Sequence, residues 1–145
     1  TKFIEDIDTP EEIEFRHTLQ DYLRDRYDRL GLIIETNPTS NIYIARLEEH
    51  SQHPIFRWNP PDESVLATGG KYNRFDLRRG PVRVLINTDD PGIMPTTLRS
   101  EFLLLREAAI DIGISRTVAE CWLERLRQYG MEQFYRNHQP VFERT

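Results

Sequence analysis

The sequence predicts an α/β fold, because two short apolar runs suited to buried strands alternate with segments of helical periodicity. The runs cover residues 32–35 (LIIE) and 81–86 (PVRVLI). Unbroken apolar runs of this kind are typical of parallel strands covered on both faces, and their alternation with helices predicts βα units. Two strands are too few to close a sheet. We therefore expect an incomplete sheet that continues outside the chain or borrows strands from a partner.

The first element is predicted to be a long helix that starts after Thr9. Thr9 and Glu12 have the spacing of a capping box, and Pro10 suits the first helical turn. Gly31 can end the helix in the left-handed conformation. Apolar residues follow at helical spacing, at positions 13, 15, 19, 22, 23, 27 and 30.

The middle of the chain is predicted to be less regular. A turn over residues 36–41 and a brief helix over residues 42–49 lead to His53. Residues 55–80 are predicted to form an irregular inserted loop with at most one short strand, because the segments NPPD and GG interrupt it. Four cations make the loop locally basic: Lys71, Arg74, Arg78 and Arg79. These cations can meet a phosphate, but a solvated surface is the commoner role of such a run.

Residues 97–137 are predicted to carry the C-terminal helices. Thr97 suits the N-cap of a helix that runs to about Asp111 and stops at Gly113.

A second C-terminal helix is predicted to follow. Thr117 and Glu120 repeat the capping-box spacing, and Gly130 is predicted to end the helix, with one more turn over residues 131–135. The apolar stripe of this helix is predicted to lie in the core or in an interface, with Cys121 buried beside it. The stripe consists of Val118, Trp122, Leu126 and Tyr129.

Length, composition and charge limit the class of protein. The 145 residues suit one domain, and we expect a single partial domain over residues 1–145. An apolar content of 38% with 30% charged residues predicts a soluble, globular chain. The net charge of −5 argues weakly against a general nucleic-acid binder, since phosphate neutralisation needs a basic face. Nucleic acid is left open as a partner but is not indicated.

Cysteine usage and hydropathy bear on the compartment. One cysteine allows no internal disulfide, so a reducing cytoplasm is expected. No apolar run approaches the roughly 20 residues of a membrane helix, and the first residues do not resemble a signal peptide. We therefore expect no membrane partner.

Two adjacent carboxylates, Asp89 and Asp90, follow the second predicted strand and precede a Pro-Gly turn. Ligands and catalytic groups of α/β folds gather at the carboxyl ends of strands. The pair is therefore a candidate metal or acid/base site. The segment DDPG also favours a turn, so a turn without chemistry is the competing interpretation.

The motifs that follow both predicted strands resemble those of the adenosine/AMP deaminase family. Residues 34–41 (IETNPTSN) are similar to a strand and P-[TS]-S-N turn late in the barrel of that family. Residues 82–91 (VRVLINTDDP) are similar to its last strand, which a [NS]-T-D-D-P turn closes. A His-Pro pair at residues 53–54 lies between them and TTL follows at residues 96–98. The motifs occur in the family's order, and the resemblance covers residues 32–113.

The resemblance implies that the chain forms the C-terminal βα units of a (β/α)8 TIM barrel, with additional C-terminal helices. It implies catalytic roles for both acids. Asp89 would be a ligand of a zinc ion and would orient the attacking water, and Asp90 would bind the purine ring of the substrate through a hydrogen bond. Ser40 would support the ligand aspartate. The implied reaction is the hydrolytic deamination of a purine nucleoside or nucleotide, with Zn2+ as the cofactor.

Several parts of the family's site have no counterpart in the sequence. The family's H-x-H pair, a later histidine ligand, the H-A-G-E segment with the catalytic glutamate and the histidine that steers the water would all lie upstream. One aspartate cannot hold zinc in a site of three or four ligands. We therefore expect the isolated chain to be inactive and the remainder of the barrel to be its partner. The long basic stretch implies a large bacterial homologue.

His50 and His53 are three residues apart and are a weaker candidate for a metal pair. Pro54 disfavours helical geometry at His53. Packing or hydrogen bonding of His53 beneath the strand end is the favoured interpretation.

Two classes of function remain open. The first is the C-terminal part of a zinc-dependent deaminase. The alternative is a non-catalytic barrel segment that acts as an assembly or protein-interaction module, offering apolar helix stripes in residues 9–30 and 117–129 to a partner. Unpaired strand edges and apolar helix faces predict a homo-oligomer in either case.

Overall fold

The computed structural model describes residues 8–138 of the chain. It is a mixed α/β structure that is mostly helical, which confirms the α/β class. The described residues form five α-helices: α1 (Pro10–Arg29), α2 (Pro38–Ala45), α3 (Ile55–Trp58), α4 (Leu98–Asp111) and α5 (Arg116–Asn137). They also form two strands, β1 (Ile34–Thr36) and β2 (Val84–Ile86). No helix within residues 8–138 is both long and apolar enough to cross a membrane.

The two strands form a parallel sheet, as their apolar runs predict. Ile34 lies opposite Val84, and Thr36 lies opposite Ile86. The backbone amide of Asn87 donates to the carbonyl of Thr36 at 2.9 Å, so the pairing continues just past β2. Because parallel strands run in one direction, the segments that follow β1 and β2 leave the sheet at the same edge.

The core lies between the sheet and helices α3, α4 and α5. The rings of Phe56 on α3 and Trp122 on α5 stack with their centroids 5.3 Å apart. Trp122 also donates from Nε1 to the carbonyl of Asn59 at 2.7 Å, which satisfies its buried N–H. Trp122 and Leu126 are almost fully buried, so the predicted core role of the α5 stripe is confirmed for these two residues. Val118 is exposed.

Helix α1 begins as predicted. The Thr9 hydroxyl accepts from the Glu12 amide, and the Glu12 carboxylate accepts from the Thr9 amide at 2.8 Å, which completes the capping box. The buried residues of this helix are polar, however. Asp21 and Arg24 are buried, whereas the largest apolar side chains are exposed: Ile13, Phe15, Leu19, Tyr22, Tyr27 and Leu30.

The predicted turn over residues 36–41 followed by a helix over residues 42–49 is wrong. Helix α2 begins at Pro38, because the fixed φ of proline suits the first helical position. It ends at Ala45, since Arg46 adopts the left-handed conformation with φ of 53°. The P-T-S-N motif is therefore the first turn of α2.

The described chain contains no strand between residues 54 and 80. It contains α3 and a 3-10 helix over Glu63–Leu66. Arg78 is buried and donates to the carbonyls of Arg57 and Trp58 at 2.6 and 2.8 Å, so a solvated-surface interpretation is wrong for this cation. The side chain of Asn73 donates to the carbonyls of Leu66 and Arg78 and fixes the path of the loop.

The C-terminal helices differ from the prediction in detail. Thr97 caps α4 as predicted, accepting from the Ser100 amide at 3.1 Å. Helix α5 is capped by Ser115 instead of Thr117, and it continues through Gly130 to Asn137. Cys121 is exposed on α5, so its predicted burial is wrong.

Candidate functional site at the carboxyl ends of the strands

The end of β1 is held by a buried polar cluster. Thr36 is almost fully buried, and its hydroxyl donates to Oδ1 of Asn41 at 3.0 Å. The same Asn41 oxygen accepts from the backbone amide of Asn37 at 3.0 Å. These bonds fold the first turn of α2 back against the strand end and so fix the direction in which Ser40 points.

His53 completes this cluster. Its Nδ1 accepts from the backbone amide of Ile55 at 3.1 Å, so the proton of the neutral ring must sit on Nε2. Nε2 lies 3.1 Å from the Thr36 hydroxyl and 3.2 Å from Asn41 Oδ1. Burial lowers the pKa of His53 to about 4, with a smaller contribution from His50. The favoured interpretation, hydrogen bonding beneath the strand end, is confirmed.

The end of β2 meets the first turn of α2 through one hydrogen bond. Ser40 Oγ donates to Oδ2 of Asp89 at 2.6 Å. Ser40 is almost fully buried, whereas Asp89 is exposed and adopts the left-handed conformation with φ of 61°. Aspartate tolerates this conformation better than most residues. Residues 49 positions apart are therefore joined at the strand ends.

Asp90 is exposed and has a visible turn role. Its Oδ1 accepts from the backbone amide of Gly92 at 2.8 Å. Its carbonyl accepts from the amides of Ile93 and Met94 at 3.1 and 2.8 Å. These bonds match the turn chemistry that the sequence leaves open for the acid pair.

Glu101 also belongs to the site, although no motif in the sequence marks it. It is fully buried at the start of α4, and its Oε2 accepts from the backbone amide of Thr39 at 2.9 Å. Its Oε1 accepts from the hydroxyl of Thr96. Glu101 therefore ties the first turn of α2 to the segment that follows Asp90. The available signal was its spacing from Leu105 and Ala108, which places it on the core-facing side of the helix.

Among the residues of this site, Asp89 can serve as one ligand of a metal ion. Asp89 Oδ1 makes no hydrogen bond to the described residues, and an exposed carboxylate oxygen is suitable for binding zinc. Within residues 8–138, no group of three or more His, Cys, Asp or Glu side chains is placed to hold a metal ion. The described residues thus offer a single carboxylate and do not form the three- or four-ligand site that zinc needs.

The strand-end site therefore consists of one buried hydroxyl, two exposed carboxylates and the buried groups that hold them. Ser40 and Asp89 are in direct contact, and Asp90 follows in the adjoining turn. No family model, no curated protein and no solved structure matches the chain.

Proposed function

We propose that the chain is the C-terminal part of a zinc-dependent, adenosine-deaminase-like hydrolase that acts on a purine nucleoside or nucleotide. The observation that carries this proposal is the hydrogen bond from Ser40 to Asp89, because it joins the two motifs that resemble the deaminase family. The parallel pairing of β1 with β2 is compatible with two neighbouring strands of a TIM barrel.

Asp89 is proposed as the zinc ligand of this chain. The Ser40 hydroxyl occupies Oδ2 and leaves Oδ1 available. A short hydrogen bond to one carboxylate oxygen fixes the orientation of the other, which is how supporting groups tune metal ligands. The chemistry that zinc supplies in such a site is Lewis acidity, which makes water a nucleophile near neutral pH.

Asp90 is proposed to bind the purine. Its Oδ1 is held by the Gly92 amide, so the side chain has a defined direction before substrate arrives. Its Oδ2 makes no hydrogen bond to the described residues and can accept one from a protonated ring nitrogen. The turn role of Asp90 therefore supports a binding role instead of competing with it.

His53 and Glu101 are proposed as positioning residues. His53 holds the first turn of α2 through Thr36 and Asn41, and Glu101 holds it through the Thr39 amide. Both groups act on the segment that carries Ser40. The remaining zinc ligands and the catalytic glutamate are expected from the rest of the barrel, so we expect the chain alone to be inactive. The proposed location is the cytoplasm.

The roles of the two acids are separable by substitution in the complete enzyme. Asp89→Ala is expected to lose zinc, whereas Asp90→Asn keeps zinc and loses adenosine turnover. Ser40→Ala is expected to weaken zinc binding or turnover by about 10- to 100-fold. Zinc content by mass spectrometry and deamination by the absorbance change of the purine are the measurements.

Asp111→Asn is the matched control, because Asp111 is an exposed acid at the end of α4. It should change neither zinc content nor turnover. Equal zinc loss in the Asp89 and Asp90 variants would contradict the assigned roles. Stoichiometric zinc or turnover in the 145-residue chain alone would contradict its proposed incompleteness.

An assembly module is the second candidate, and one observation favours it. Most apolar side chains of α1 are solvent-exposed, including Phe15 at 67% and Tyr22 at 52%. The other predicted stripe, on α5, is not available to a partner at Trp122 and Leu126, which are buried in the core. The assembly module is favoured over the enzyme if Asp89→Ala changes neither zinc content nor turnover of the complete protein, while substitutions of exposed apolar residues in α1 abolish its association with a partner.

A further inference from the structure

Three arginines lie close together at the buried side of α1: Arg24, Arg57 and Arg78. Among residues 8–138, Asp21 is the one carboxylate to which Arg24 and Arg57 hydrogen-bond, whereas Arg78 donates to backbone carbonyls. Asp21 Oδ1 accepts from Arg57 at 2.9 Å and from Arg24 at 3.2 Å. Burial, together with the charges of Arg57 and Arg78, lowers the pKa of Arg24 to about 10. Asp21 is thus shared by two guanidinium groups, and Asp25 and Asp28 lie beside Arg24 and Arg78 on the other side of the cluster.

A cleft opens beside this cluster, between α1 and the loop at residues 71–75. Its volume is about 360 Å3, within the range of small-molecule sites. We call it the α1 cleft. Its lining includes three cations, two carboxylates, a histidine and two large apolar side chains: Arg57, Lys71, Arg74, Glu14, Asp21, His17, Ile13 and Phe75.

Two donors of the α1 cleft lack acceptors among the described residues. Arg57 Nε is buried and has no hydrogen-bond partner within residues 8–138. Lys71 makes no ion pair in that part of the chain, and its ammonium lies 4.9 Å from the ring centroid of Tyr72. A buried, charged donor without an acceptor is costly. Arg57 and Lys71 both line the cleft, so an anion bound there would lie beside their positive charges.

We propose that the α1 cleft binds a small organic phosphate. The phosphoryl group lies between Lys71 and Arg57, where charged donors of this type favour phosphate. The apolar body of the ligand packs on Ile13 and Phe75. None of these residues belongs to the strand-end site, so phosphate binding in the α1 cleft is independent of the proposed deaminase function.

Two neighbouring groups modulate this site. Arg74 is paired with Glu14 at 2.5 Å, so Glu14 both occupies a cation of the cleft and repels an incoming anion. Burial, and next the charge of Arg57, lower the pKa of His17, so its ring is mostly neutral at pH 7. The cations therefore supply the attraction at that pH.

Phenyl phosphate is a suitable probe, because it combines a phosphoryl group with an apolar ring. Calorimetric titration of the full 145-residue chain in low salt is expected to show saturable binding. Phenol and inorganic phosphate should each bind more weakly, since phenol lacks the phosphoryl contacts and inorganic phosphate lacks the apolar contacts. Lys71→Gln is expected to weaken phenyl phosphate binding about tenfold through loss of one charged contact.

Glu14→Gln is expected to strengthen binding, because it removes the repelling carboxylate and releases Arg74. Misfolding cannot imitate this gain. Arg99→Gln is the matched control, since it removes one exposed positive charge from α4 and should leave the affinity unchanged. Absence of saturable binding at millimolar probe, equal weakening by the Lys71 and Arg99 changes, or no gain in Glu14→Gln would each overturn the proposal.

Discussion

His53 is a titratable side chain whose surroundings require the neutral form. Its Nδ1 accepts from the Ile55 amide, and protonation at Nδ1 would replace this bond with repulsion between two donors. Its ring is also 2% exposed, so a positive charge there would be poorly solvated. Burial, with a smaller contribution from the charge of His50, lowers the pKa of His53 to about 4, and the contact with the Ile55 amide acts in the same direction.

Acidification is expected to destabilise the fold through His53. The folded-state pKa of about 4 lies below the ordinary value of 6.5, so the unfolded state binds the proton more tightly. The stabilisation is complete above pH 6.5 and is lost as the pH falls toward 4. The loss is about 3 kcal/mol, from about 1.4 kcal/mol per pKa unit. Urea unfolding of the chain between pH 4 and 7 measures it.

Substitution of His53 separates its contribution to the pH dependence of stability from that of the carboxylates that also titrate at low pH. His53→Gln should be less stable at pH 7 and should show a flatter loss of stability between pH 6.5 and 4. His138→Gln, at an exposed histidine, should retain the wild-type profile. If His53→Gln keeps the full pH dependence, the effect does not come from His53.

The sequence identifies some residues of the site better than others. Ser40 and Asp89 lie in recognisable motifs after predicted strands, and parallel strands bring the segments that follow them to one edge. Glu101 and Arg57 lie in no such motif. Their roles depend on contacts with Thr39 and Asp21, which are 62 and 36 positions away in the sequence. Local pattern carries no information about partners at that distance, so a charged residue is by default predicted to be exposed.

At the level of elements, Gly130 illustrates how packing overrides a local stop signal. Glycine is a frequent helix terminator, yet Gly130 lies inside α5. The helix packs on β2 and α4 through Trp122 and Leu126, and this burial fixes the direction in which the helix continues. Tertiary contacts stabilise most helices more than propensity does.

Gly130→Ala is expected to stabilise the chain by about 1 kcal/mol, because alanine loses less backbone entropy in a helix. A Cβ at this position would meet no atom within 4 Å. Gly113→Ala is the matched variant for which we expect the opposite effect. Its Cβ would also meet open space, but its φ is 94°, so we expect destabilisation of about 1–2 kcal/mol. The midpoint of thermal unfolding measures the effect of each variant, and a change of the same sign and size in both variants would contradict these expectations.

Element boundaries are predictable where one local signal dominates. The Thr9 capping box and the Thr97 cap are both correct, since each precedes a clear helical pattern. The start of α5 has two competing signals two residues apart: the capping-box spacing favours Thr117, but Ser115 caps the helix. The start of α2 was missed because Pro38 suits a turn and a first helical position equally well.

At the scale of the whole molecule, the polarity of α1 is inverted. One arginine and one aspartate, Arg24 and Asp21, face inward, while aromatic and aliphatic side chains face solvent. A monomeric protein usually leaves few contiguous apolar surfaces of this kind exposed. Association of the chain with a partner or with copies of itself stays a prediction.

Self-association through α1 is testable by a single charge. Leu19→Glu places a carboxylate within the exposed apolar stripe and is expected to reduce the apparent mass in analytical ultracentrifugation. Gln20→Glu adds the same charge at the adjacent position and keeps an acceptor for Arg24, so it should leave association unchanged. A compact monomer for the unmodified chain would contradict the expectation.

The pairing of β1 with β2 also affects the order of events during synthesis. Ile34 pairs with Val84, a partner 50 positions later in the chain. At roughly 5–20 residues per second, β1 leaves the ribosome about 3–10 s before its partner strand. During that interval the backbone groups that will bind β2 are bonded to water, and another strand can occupy them first. Nascent β1 is therefore open to pairing in trans, before the site at its carboxyl end exists.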